Sequence, residues 1–126
     1  MNRYRFNNLK HRKYELLVND IEMTFNLLIT ELSKFGAETL NAVPFERSWT
    51  AGQAAEHIII CGNGIPDSQT TETNRPYDEK VKPIKELFLN FDLKFKADPS
   101  LEPRSVSHEK EALIQKIKKI RGALCK

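Results

Sequence analysis

Apolar residues recur at a helical period through most of this chain. Tyr14, Leu17, Ile21, Leu28, Leu32 and Phe35 stand three, four or seven residues apart and trace a seam along one helix running from about Leu9 to Phe35. Leu16, Met23, Phe25 and Leu27 widen the seam beyond a coiled-coil stripe, so this helix is expected to pack on two neighbours, as in a bundle. Gly36 suits the position after its end. A second helix is expected from Ala51 to about Cys61 or a turn further. Its start is marked by Thr50 and Gln53, a capping box in which the hydroxyl accepts the Gln53 amide and the Gln53 side chain reaches back to the Thr50 amide. Trp49 precedes it as a bulky anchor, and Ala54 and Ala55 are small enough for a neighbouring helix to come close.

Two weaker pieces follow. Ile84, Leu87, Phe88 and Phe91 give a third helix an apolar face, with Asp78 as a candidate cap and Pro83 suited to a first turn. A fourth starts after Ser107 as cap, with Glu109 and Glu111 in its first turn, and buries Leu113, Ile117, Ile120 and Leu124. Between these pieces, Pro44, Phe45 and Trp49 can plug the end of a bundle. Gly62, Gly64 and Pro66 weaken or end the second helix, Asp67 to Tyr77 is a polar loop, and Pro99 and Pro103 break Ala97 to Arg104. No run alternates at strand period. The expected class is all-α.

A chain of 126 residues fits one domain, residues 1–126, with room for a core. Its start lacks the apolar run of a signal peptide and no segment is long enough to span a bilayer, so no membrane is expected. Two cysteines make no disulfide framework. Cys61 on an apolar helix face reads as a buried thiol, and a reducing cytoplasm is the expected setting. The net charge of +3 is too weak to argue for nucleic acid. Its basic clusters, from Arg3 to Lys13 and from Lys116 to Lys126, read as solvated helix faces, without a recognition motif or a stacking platform.

The candidate chemistry gathers on the second helix. Gln53, His57 and Cys61 fall four residues apart and share a face, so His57 is either a core residue or a metal ligand, with Cys61 able to supply half a site. Glu56 points about 100° away around the helix. His108, in the first turn of the last helix, is expected exposed and neutral, and His11 lies in a basic, exposed patch. No nucleophile with a paired base can be read from the sequence. Gly62-Asn63-Gly64 lacks the lysine and strand context of a phosphate loop.

Trp49-Thr50-x-x-Gln53-x-x-x-His57 after a long amphipathic helix, together with Thr73-Asn74-Arg75-Pro76-Tyr77-Asp78-Glu79, resembles small bacterial members of the DinB/YfiT-like superfamily. The resemblance implies an antiparallel four-helix bundle, often dimeric, in which His57 is the first ligand of a divalent zinc or nickel ion. It also implies metal-dependent thiol transfer or hydrolysis. The family's other two ligands come from a His-x-x-x-His pair on its last helix, and no such pair occurs here. On this reading the bundle is incomplete at its C-terminus and the inherited activity impaired. The alternative is a non-catalytic interaction module. In either case an uncovered apolar groove around Ala54, His57 and Ile58 is expected to be filled in a homodimer.

Overall fold

The structure is a computed structural model that describes residues 3–63, 71–76 and 78–126, with side chains from residue 11 onward. Every regular element among these is helical and none is a strand. The helices are α1 (Arg3–Ser33), α2 (Ala37–Asn41), α3 (Ala51–Asn63), α4 (Val81–Phe88) and α5 (Lys110–Leu124), with one 3-10 turn at Pro99–Leu101. They form two compact units, Met1–Gly64 with Pro103–Lys126, and Ile65–Glu102. No helix is long and apolar enough to cross a membrane among the described residues.

The first unit is built on α1, α3 and α5. Ile21, Phe25, Leu28 and Ile29 of α1, and Phe35 just after it, are partly covered, and Leu32 is buried. Hydrogen bonds set the direction of α5 against α1. Tyr14 donates its hydroxyl to the Lys126 carbonyl at 2.8 Å, and Arg121 donates to the Asn26 side chain. At the other end the Lys110 ammonium donates to the carbonyls of Ser33 (3.3 Å) and Phe35 (3.0 Å). These carbonyls lie at and just beyond the end of α1, where a helix leaves its last acceptors unpaired and a cation is favoured. The two helices are therefore antiparallel. The expectation that α1 packs on two neighbours is not met: Leu16, Met23 and Leu27 are 57–59% exposed.

α1 starts six residues before Leu9 and stops at Ser33, where the amides of Lys34 and Phe35 turn back to Glu31 and Leu32 (both 3.1 Å). Gly36 is not a left-handed terminator. At φ −81° it is extended and opens α2, donating its amide to the Thr39 hydroxyl at 2.9 Å. This one-turn helix went unforeseen, yet its Leu40 is fully buried beside Ile117 in a core completed by Leu32, Ala55, Ile59, Leu113 and Ile120. Each leucine or isoleucine side chain so buried stabilises the fold by about 1.5–3 kcal/mol.

α3 begins where the capping box places it. Thr50 donates its amide to Gln53 Oε1 at 3.0 Å, and Gln53 donates its amide to Thr50 Oγ1 at 3.1 Å. Of the two small residues, Ala55 is buried in the core with Leu113 and Ile117 while Ala54 is exposed, and two glycines also come close to α5 and the residues just before it. A Cβ on Gly52 would meet the His108 side chain at 2.9 Å, and one on Gly62 would meet Ile120 at 2.8 Å. These pairs also show that α3 and α5 run in the same direction.

α5 starts at Lys110 with Glu109 as N-cap, so Ser107 does not cap it. The reason lies upstream. The Asn41 carboxamide accepts the His108 amide at 2.7 Å and donates to the His108 carbonyl at 2.9 Å, which holds His108 outside the helix. The stripe of Leu113, Ile117, Ile120 and Leu124 is otherwise as expected, the first three buried and the last partly so.

In the second unit, α4 has Pro83 in its first turn, with Lys80 and not Asp78 at the cap. Ile84, Leu87, Phe88 and Phe91 are exposed, and α4 buries no residue. Asp98 caps the 3-10 turn by accepting the Ser100 amide at 2.9 Å. The break at Gly64 and Pro66, the stretch from Asp67 to Thr70, and Tyr77 lie outside the described residues.

Candidate functional site on helix α3

Adjacent residues on α3 build two different environments. Glu56 shares its face with Gly52 and Ile59, the side turned to the core and to α5, and is 7% exposed. A buried carboxylate needs a cation or several donors. Arg104 supplies both. Its Nε and Nη2 lie 2.7 Å from Glu56 Oε1, and its backbone amide donates to Oε2 at 2.6 Å. Gln53 adds a 3.3 Å hydrogen bond to the Arg104 carbonyl. Burial pushes the Glu56 carboxyl upward, but the Arg104 hydrogen bonds and charge, helped by His108, outweigh it and hold it below the ordinary carboxylate value.

His108 was expected to be exposed, and it is buried. Gly52 leaves the space its ring occupies, Asn41 grips its peptide groups, and its Nε2 lies 3.7 Å from Glu56 Oε2. That is too long for a hydrogen bond, and this buried nitrogen has no hydrogen-bond partner among the described residues. Glu56, Arg104 and His108 also line an open cavity of about 520 Å³ between α3 and α5, together with Lys116 and Lys119. The group fastens the segment from Pro103 to Glu109 onto α2 and α3.

The second environment holds the residues singled out from sequence. His57 is half-buried, and the Trp49 ring packs against it with centroids 5.0 Å apart and planes tilted by 51°. Trp49 is 40% exposed and so covered over more than half its surface, as its place beside the capping box suggests. Cys61 is not the buried thiol expected. It is exposed, with its sulfur 3.7 Å from His57 Nε2 and 4.0 Å from Nδ1. Gln53, on the same face, is occupied by the cap and Arg104. His11 is exposed, as its basic surroundings suggest.

Two ligands of a tetrahedral ion, one imidazole and one thiolate, stand about 3.6 Å apart, so the His57–Cys61 spacing fits half of a metal site. The other half is missing among the described residues, where no three histidine, cysteine or acidic side chains cluster. Glu56 cannot join, since it is turned away and held by Arg104. Among the described residues this donor set supplies two of the three protein ligands that a catalytic metal needs.

No family model matches the chain, and neither curated proteins nor solved structures match it.

Proposed function

We propose that this chain is a non-catalytic helical interaction module of DinB-like architecture that works as a homodimer. The observation that carries the reading is the second apolar stripe on α1. At about 100° per residue, Leu16, Met23 and Leu27 lie within some 40° of one another, on the side of the helix opposite Phe25 and Leu32. All three are more than half exposed. A helix of 31 residues with one covered face and one open apolar face suits pairing with a second copy. The open face of α3 offers less, since Ala54 is small and Ile58 is already more than half covered.

A four-helix bundle agrees with the directions of the helices. α3 and α5 run together and α1 opposes α5, as the first, second and fourth helices of an up-down-up-down bundle do. Metal-dependent thiol transfer, with His57 as a zinc or nickel ligand, is the alternative that the resemblance carries. Against it stands the two-donor set at His57 and Cys61.

Sedimentation velocity at about 50 µM tests the dimer. The expected result is a dimer that the Leu16→Lys, Met23→Lys, Leu27→Lys protein converts to a monomer of unchanged helicity. A monomeric parent chain overturns it. Zinc or nickel retained at one per chain after dialysis, and lost in His57→Ala, would favour the enzyme reading.

A further inference from the structure

We propose that residues 81–95 of the second unit form a docking surface for an anionic lipid bilayer, lying in its headgroup region without crossing it. At about 100° per residue, Val81, Ile84, Leu87 and Phe88 fall within some 120° on one side of α4. Lys82 and Glu86 lie on the other side, their charged groups 3.9 Å apart. None of the four apolar residues is buried, and the chain after the helix adds Leu89, Phe91, Leu93 and Phe95, all exposed. Phe88, Phe91 and Phe95 are the extreme, with 69–80% of each in solvent. Bare aromatic and aliphatic side chains gathered in one short stretch mark a surface that meets a partner.

Charge decides which partner. Lys80, Lys82, Lys85, Lys94 and Lys96, all exposed, stand against Glu86 and Asp92, a net +3 over residues 80–96. The whole chain also carries +3, so its other residues balance and the excess lies here. Phenylalanine and leucine on one side with lysines around them is the composition of a helix that rests at a membrane interface. The rings enter the headgroup boundary, and the lysine stems let each ammonium stay with the lipid phosphates.

The open stripe of α1 has the opposite surroundings. From Tyr14 to Ser33 there are four acids, Glu15, Asp20, Glu22 and Glu31, and no lysine or arginine, so an anionic surface repels it. The lipid face and the proposed dimer therefore use different parts of the chain, and either can fail without the other. The expectation of no membrane rested on spanning length. No described helix is long and apolar enough to cross a bilayer, but a helix lying on one needs only an apolar side.

The test is co-sedimentation of the full chain with large unilamellar vesicles of phosphatidylcholine, alone or with about 30% phosphatidylserine, at about 0.1 M salt. The expected result is a partition coefficient at least about tenfold higher on the anionic vesicles, falling toward the phosphatidylcholine value at about 0.5 M salt. The triple variant Phe88→Ser, Phe91→Ser, Phe95→Ser and the triple variant Lys80→Gln, Lys82→Gln, Lys85→Gln should each lower it at least about tenfold. Because α4 buries no residue, both variants should keep the parent's helicity and urea midpoint. Binding to neither vesicle, or equally to both, overturns the proposal. So does undiminished binding of the phenylalanine variant, since cations elsewhere on the chain would then hold the lipid. A phenylalanine variant that loses a dimer and not its lipid binding places this face against a second copy, and overturns the proposal as well.

Discussion

Glu56 and His57 are neighbours in sequence and near opposites in circumstance. Glu56 is turned toward α5, where its carboxylate is enclosed and held by the side chain and backbone of a residue 48 positions away. His57, one residue on and about 100° around the helix, meets Trp49 and an exposed thiol, partners that belong to α3 or immediately precede it. The Glu56 face is a long-range tie that closes the fold. The His57 face is a local constellation that the fold carries outward. Chemistry that must meet a partner or a small molecule belongs on the second, while titratable groups on the first are committed to stability.

Substitutions on the two faces should separate these roles. Glu56→Ala is expected to have the largest effect, because it strands the Arg104 amide and the His108 ring without their anion. A loss of about 2–3 kcal/mol is expected, read as a lower urea midpoint with an unchanged slope. Gly52→Ala should follow at about 1–2 kcal/mol, since the new methyl group meets the His108 side chain at 2.9 Å and the overlap outweighs the gain in helix propensity. His57→Ala should cost no more than about 1 kcal/mol, the worth of its contact with Trp49, with a change in Trp49 emission. If His57→Ala proved as costly as Glu56→Ala, the division between the faces would be wrong.

Acid sharpens the same contrast. The Glu56 carboxyl titrates below its ordinary value of 4.5 in the folded protein. Its contribution is therefore complete above that ordinary value and drains away as pH falls below it toward the lowered value. Urea midpoints measured between pH 6 and pH 3 should fall more steeply for the parent protein than for Glu56→Gln, with the difference confined to the lower part of that range. Equal slopes would mean that Arg104 does not hold the carboxylate.

What was legible in the sequence follows from the same distinction between local and long-range. The capping box at Thr50 and Gln53 could be read because both partners lie within one turn, and the α5 stripe because periodicity alone defines it. The exposure of Cys61 and of Leu16, Met23 and Leu27 could not be read, since periodicity marks a residue as apolar without saying whether a neighbour arrives. His108 was misplaced for a similar reason. Its burial depends on a missing Cβ at Gly52 and a carboxamide at Asn41, both remote in sequence. Glu56 did leave a signal: an acid in register with Gly52, Ile59 and Asn63 on a helix whose other acids are absent points to a buried ion pair. The α2 turn was too short for any period to declare it.

The arrangement of the two units has a consequence for how freely the chain can change. The first unit is assembled from residues on either side of 65–102, and the ties at Glu56, Gln53 and Asn41 reach directly to the returning segment at Arg104 and His108. To that unit the intervening stretch is a closed loop, and the entropy of closing a loop grows only with the logarithm of its length. Halving or doubling it would shift the closure term by about 0.6 kcal/mol. To the first unit, sequence length between α3 and Pro103 is thus expected to be a permissive coordinate. Variants that shorten or lengthen it should keep the Arg104 tie, while a single change at Glu56 releases it.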